Sequence, residues 1–373
     1  MTILSLALSL GCPPKDLNAT DSGIDSEADT DTDTDADTDT DADTDSDTDT
    51  DTEGHSTMLV TTSDFSVGAL AVVNLDDGSF DEPAEIASDA GVKVLDDDVF
   101  VLGKFGFDYV RKYAKGSWDA PVSEFSVGSN PQDIQTCDGL TFVTLQSEDW
   151  IGVYDTDSGT LTGTVDLAAY ADSDDVGPEA HGMVDLDGVL FVMLQRLNQD
   201  AYWVSEGSQV VEIDCGGQTV VNSYDVGGNA RMYEINGALL ISHEAYGDTP
   251  AGVSTLDPKT GSLTTLIETG DSAAGAIAIP PETSTAVIGM RDAAYNYGFV
   301  CVDTNTGVAG EPVWTDWFIT DVQANDRGEV WIGAGQHWSN TASAYGVAKV
   351  DPVACEVTEV VETTLPGTSI AFY

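Results

Sequence analysis

The chain has 373 residues, of which 66 are acidic and only 12 basic, giving a net charge of −54. That charge repels phosphate backbones and excludes nucleic acid as a partner by the ordinary electrostatic route. Beyond the N-terminus no apolar stretch is long enough to span a bilayer.

In chain order the sequence reads as three segments: residues 1–17, 18–55 and 56–373. The first is mostly apolar and runs into Ser9-Leu10-Gly11-Cys12, which resembles a bacterial lipoprotein signal. The resemblance implies acylation at Cys12, export, and a place at the outer membrane or cell surface, with membrane contact only through the lipid. Ser9 departs from the usual Leu, and no Lys or Arg precedes the apolar run. The second segment is almost wholly Asp, Thr, Ser and Ala and holds sixteen of the acids. It cannot bury enough surface to offset the entropy of ordering, so a disordered, extended tether is expected. Its Asp-x-Asp-x-Asp runs suggest diffuse binding of Ca²⁺, the only cofactor expectation. The glycine and glutamate that close an EF-hand loop are missing.

From Ser56 onward short β-branched and aromatic runs alternate with Gly, Asp and Asn turns, without a sustained helical period. One turn recurs at Asp76–Gly78, Asp155–Gly159, Asp214–Gly217, Asp257–Gly261, Asp303–Gly307 and Asp351–Cys355, with a degenerate copy at Tyr113–Gly116. Seven turns at a period of about 40–50 residues suit propeller blades. A second set, Asp97-Asp98, Asp138-Gly139, Asp187-Gly188, Asn236-Gly237 and Asp326–Gly328, precedes apolar runs such as Leu190–Leu194. It predicts a tight hairpin between the first two strands of each four-stranded unit. The first unit lacks an innermost strand and Thr368–Tyr373 supplies a spare one. The expected fold is therefore all-β, a seven-bladed β-propeller closed by the C-terminal strand pairing into the first blade.

Asn130-Pro-Gln-Asp-Ile134, followed by Val153-Tyr-Asp-Thr-Asp-Ser-Gly159, and Pro178–Met183 carry a further likeness. Residues 56–373 resemble the bacterial YVTN-type propellers, related in shape to the quinoprotein-like superfamily. The resemblance implies surface exposure and binding, and specifies fold more than chemistry.

Cys12 aside, four cysteines remain for an exported domain, where disulfides persist. Pairing of neighbouring repeats gives Cys137–Cys215 and Cys301–Cys355, one of three connectivities; free buried thiols are the alternative. The scarce bases and histidines map to loops after the second strand or before the first. His181, Arg196, Arg231, His243, Glu244, Arg291, Asp292 and His337 are accordingly expected to surround one mouth of the central channel. Leu197–Gly207 and His337–Gly346 are expected to wall it. The reading is a monomeric binding scaffold for a protein, a glycan or a small anionic ligand. The alternative is a metal-dependent enzyme of the propeller lyase or lactonase type, using Glu179, His181, His243 and Glu244.

Overall fold

The computed structural model describes residues 55–171, 177–198, 203–270, 273–336 and 344–373. Cys12, the acidic tether and His337 lie outside the described residues, as do Tyr202 and Trp338. Among the described residues the structure is antiparallel β, with one short 3-10 helix at Ala168–Tyr170 and no helix long and apolar enough to cross a membrane.

The turns show how the sequence folds locally. Asp138 and Gly139 have φ of 50° and 74°, Asp187 and Gly188 of 55° and 79°, Asn236 and Gly237 of 54° and 76°. Two successive positive φ angles make the hairpin turn whose twist matches the strands it joins. In the first such hairpin Leu95 pairs with Asp98, so its turn falls on Asp96-Asp97, one residue before the expected pair. In the longer turns the Asp carboxylate takes over part of the hydrogen bonding. Asp155 Oδ1 accepts from Ser158 N at 2.8 Å, and Asp257 Oδ1 from Lys259 N at 2.9 Å. The closing residue has positive φ: Gly159, Gly261, Gly307, and Cys355 where the others have glycine.

These hairpins build four-stranded sheets. One joins Ala90–Leu95, Asp98–Gly103, Tyr109–Tyr113 and Ser123–Ser126; another joins Pro131–Cys137, Leu140–Leu145, Trp150–Tyr154 and Leu161–Asp166. A third comprises Phe318–Ala324, Val330–Gly335, Gly346–Asp351 and Glu356–Glu362. The long strand Thr219–Ile235 serves two units, pairing with Ser208–Asp214 through its first half and with Ala238–Glu244 through its second. In the first sheet the C-terminal strand Gly367–Phe372 lies beside Thr57–Ser63, with Met58 opposite Phe372 and Val60 opposite Ile370.

Apolar clusters fill the interfaces between successive sheets. Phe100, Leu102 and Val110 pack on Ile134, Val143 and Leu145. Met58, Val60 and Val73 pack on Trp331, Val347 and Val361, bringing the first sheet against the last. Each such fully buried side chain contributes about 1.5–3 kcal/mol relative to exposure. Two disulfides add covalent ties, Cys137–Cys215 and Cys301–Cys355.

Candidate functional site

A cavity of about 830 Å³ is lined by seven strands: Ala90–Leu95, Pro131–Cys137, Ala180–Leu186, the second half of Thr219–Ile235, Ala273–Ala278, Phe318–Ala324 and Gly367–Phe372. All but Ala90–Leu95 show a register shift near their start, at Gln132-Asp133, His181-Gly182, Asn229-Ala230, Gly275-Ala276, Thr320-Asp321 and Thr368. A bulge leaves one residue unpaired and re-aims side chains.

Two of these bulges carry an aspartate with the same task. Asp133 accepts Ile134 N on one oxygen at 2.8 Å and Met183 N, from the next inner strand, on the other at 2.7 Å. Asp321 accepts Val322 N at 2.9 Å and, again from the next inner strand, Ile370 N at 2.9 Å. Each carboxylate thus stitches one sheet to its neighbour. Lys93 neutralises Asp133, with Nζ 2.9 Å from Oδ1. Burial pushes the Asp321 carboxyl above its ordinary range, against the bonds from Ile370, Gln323 and Val322 and the pull of Arg231.

The cavity also holds Lys104, Arg231 and His181. Gly91 makes room for the lysine, since a Cβ there would lie 3.2 Å from Lys104 Cε. Neither Lys104 nor Arg231 has a carboxylate within 4.0 Å among the described residues. Burial lowers the Lys104 ammonium below its ordinary range; the nearby acids Asp89, Asp133 and Asp321 oppose that shift and Arg231 adds to it. The imidazole of His181 is pushed down to about 3, by burial first and then by Arg231 and Lys104. Burial also raises the Tyr233 phenol to about 12. This wall therefore brings the Lys104 amine and the Arg231 guanidinium, neither with a carboxylate at hand, beside a neutral imidazole, a set of donors that suits an anion.

The other residues expected at the mouth are placed elsewhere, and the expected single cluster divides. His243 is fully buried rather than solvated, because its strand Ala238–Glu244 turns it onto Ser254, with Nε2 3.0 Å from Oγ. Glu244 pairs with Arg291 at 3.1 Å and accepts from Asn229 Nδ2 at 3.2 Å. Arg196 donates to the carbonyl of Gly207 at 3.2 Å. Asp292 organises its own loop, accepting from Asn296 Nδ2 and from the amides of Ala294 and Asn296, and these bonds hold its carboxyl below the usual range. None of these five lines the cavity. Glu179, named for the metal-dependent alternative, is buried and accepts Leu197 N at 2.8 Å. Among the described residues no group of three His, Cys, Asp or Glu side chains converges to hold a metal ion.

Asp321 and Tyr233, which also line the cavity, were not among the expected site residues. The available signal was an Asp before a β-branched residue at the same repeat position, in Asp133-Ile134 and Asp321-Val322.

No protein-family model matches the chain, and no curated protein is significantly similar in sequence. Solved structures are similar in shape. The hydrazine synthase of Kuenenia stuttgartiensis superposes with a TM-score of 0.56 at 15% identity, over 82% of this chain and 95% of that one. Apo AztD from Citrobacter koseri gives 0.50 at 14% identity, over 85% and 97%. The dihydro-heme d1 dehydrogenase NirN in complex with DHE gives 0.53 at 11% identity; the match covers 82% of this chain and 63% of NirN. At these identities the likeness concerns the fold alone. It makes this chain an all-β protein of the β-propeller type.

Proposed function

We propose that the chain is a binding scaffold, a seven-bladed propeller whose central cavity takes a small ligand bearing a carboxylate or phosphate. The observation that carries this reading is the pair Lys104 and Arg231, two basic groups without a carboxylate within 4.0 Å, in the cavity of a protein with only 12 bases. Leaving such charges unpaired in a confined space is unfavourable, and an oxyanion would relieve it. His181, neutral beside them, offers a hydrogen bond without adding to their repulsion. The cavity would also focus an attractive potential locally, inside a molecule that repels anions at long range.

The count of seven blades is supported by taking the long strand Thr219–Ile235 as the outer strand of one unit and the inner strand of the next. Closure is supported by the pairing of Gly367–Phe372 with Thr57–Ser63 and by the apolar cluster between the first and last sheets. The motif ending in Cys12 supports export and a lipid anchor, with the acidic segment holding the propeller away from the membrane.

The test is calorimetric titration of the purified protein with inorganic phosphate and with succinate. The expected result is saturable binding to the wild type and at least a tenfold loss in Arg231→Ala, with little change in melting temperature. Equal affinity in the variant, or no binding of either anion, would refute the reading.

A further inference from the structure

Aromatic side chains crown one end of the sheets. The loops that follow the second strand of successive units carry Phe65, Phe105, Phe107, Trp203, Tyr246 and Tyr295, each between 44% and 73% exposed. Elsewhere among the described residues only Phe80 and Trp314 are comparably exposed aromatics. Two of these loops are neighbours in space: a Cβ on Gly207, at the end of the Trp203 loop, would lie 2.6 Å from the Tyr246 ring.

Four of the six rings sit on strained backbone: φ is 67° at Phe65, 43° at Phe105, 62° at Trp203 and 63° at Tyr295. Bulky residues rarely adopt this conformation, and glycine or asparagine would adopt it more easily. Strained residues of this kind cluster at ligand-binding sites, where the surrounding structure holds them. Here two of these loops are locked. Asp64 Oδ1 accepts Ser66 N at 2.8 Å and Val67 N at 3.0 Å, while Phe65 N donates to Ser63 Oγ at 2.8 Å. Asp292 locks the Tyr295 loop in the same manner. The rings are thus presented in advance, so a ligand meets little ordering cost.

We propose that this rim binds an uncharged saccharide chain, its sugar rings stacking on the exposed aromatic faces. The surroundings of each ring argue for that occupant. Asp64 and Ser66, Glu206, Asp248, and Asp292 with Asn296 lie within a few residues of the rings in sequence and supply polar groups for hydroxyls. The central patch of a protein interface is instead apolar and depleted of charge. An anionic lipid surface or an acidic glycan would be repelled by a chain of net charge −54; a neutral polyhydroxyl chain is not. The rim and the cavity cations are separate features, and this inference goes beyond the anion reading.

The experiment is native gel electrophoresis with dextran, laminarin or galactomannan in the gel, comparing wild type with the triple variant Phe65→Gly, Phe105→Gly, Tyr295→Gly. At least one polysaccharide should retard the wild type. The triple variant should lose that retardation at least tenfold while its melting temperature stays level or rises, because glycine suits the three positive φ angles. Arg231→Ala should be retarded like the wild type. Absence of retardation by all three polysaccharides overturns the proposal, as does undiminished retardation of the triple variant. So does a protein indifferent to all three that cosediments through these rings with vesicles of phosphatidylethanolamine and phosphatidylglycerol.

Discussion

At the scale of single residues, the chemistry of the cavity is set by which charges have partners. Lys93 answers Asp133, whereas Lys104 and Arg231 face the cavity and each other. His181 is held neutral by burial first and by these two neighbours second. Its folded pKa of about 3 lies below the ordinary imidazole value of 6.5, so between those two values the unfolded chain binds a proton that the folded protein refuses. Stability therefore falls as pH drops through that window, and rises again with pH toward neutrality. Replacement by a side chain that does not titrate removes this contribution. His181→Gln should flatten the loss of stability between about pH 6.5 and about pH 3, measured by urea unfolding across that range. An unchanged pH profile, or an NMR titration placing His181 near its ordinary pKa, would contradict the assigned environment.

Among the elements, the inner strands do two jobs, lining the cavity and joining sheet to sheet. Asp133 and Asp321 show how one bulged aspartate serves both, since each accepts the amide of the next inner strand. Removing one leaves a part-buried amide without its acceptor. Asp133→Ala and Asp321→Ala should each destabilise the fold by about 1–3 kcal/mol, read from denaturant midpoints. A change under about 0.5 kcal/mol would mean that other contacts carry the seam. The C-terminal strand is the larger case. Deleting residues 367–373 removes the partner of Thr57–Ser63, the Ile370 amide on Asp321, and the packing of Tyr373 on Trp118, whose ring centres are 5.8 Å apart. The loss should be several kcal/mol out of a typical 5–15 kcal/mol, and the truncated chain should melt far below the full one or fail to fold. A melting temperature within two degrees of the full chain would show that this pairing is dispensable.

Much of this element-level design was legible in the sequence. Asp-Gly and Asn-Gly dipeptides specify hairpins through backbone conformation alone, without help from distant residues, so the turns at Asp138, Asp187 and Asn236 fell where expected. The site was less legible because side-chain direction depends on register. His243 lies on the second strand of its unit and His181 on the first strand of the unit before, and both were expected at one mouth. Yet one is turned into a sheet interface onto Ser254, while the other, on a bulge, lines the cavity. Bulges shift facing by one residue, and no local composition marks them. Loop pairings were opaque likewise: Arg291 meets Glu244 from 47 residues away.

At the scale of the molecule, a strongly acidic chain encloses a small basic patch, and that contrast is the core of the functional account. The long-range field disfavours anions, so only a ligand reaching the cavity wall would gain from Arg231 and Lys104. The most direct measurement is a selenate soak of crystals of the intact protein, followed by an anomalous difference map at the selenium edge. The account predicts a peak inside the cavity within hydrogen-bonding reach of Arg231 and Lys104, lost in Arg231→Ala crystals. A cavity without selenate, with Arg231 instead paired to Asp133 or Asp321, would contradict it.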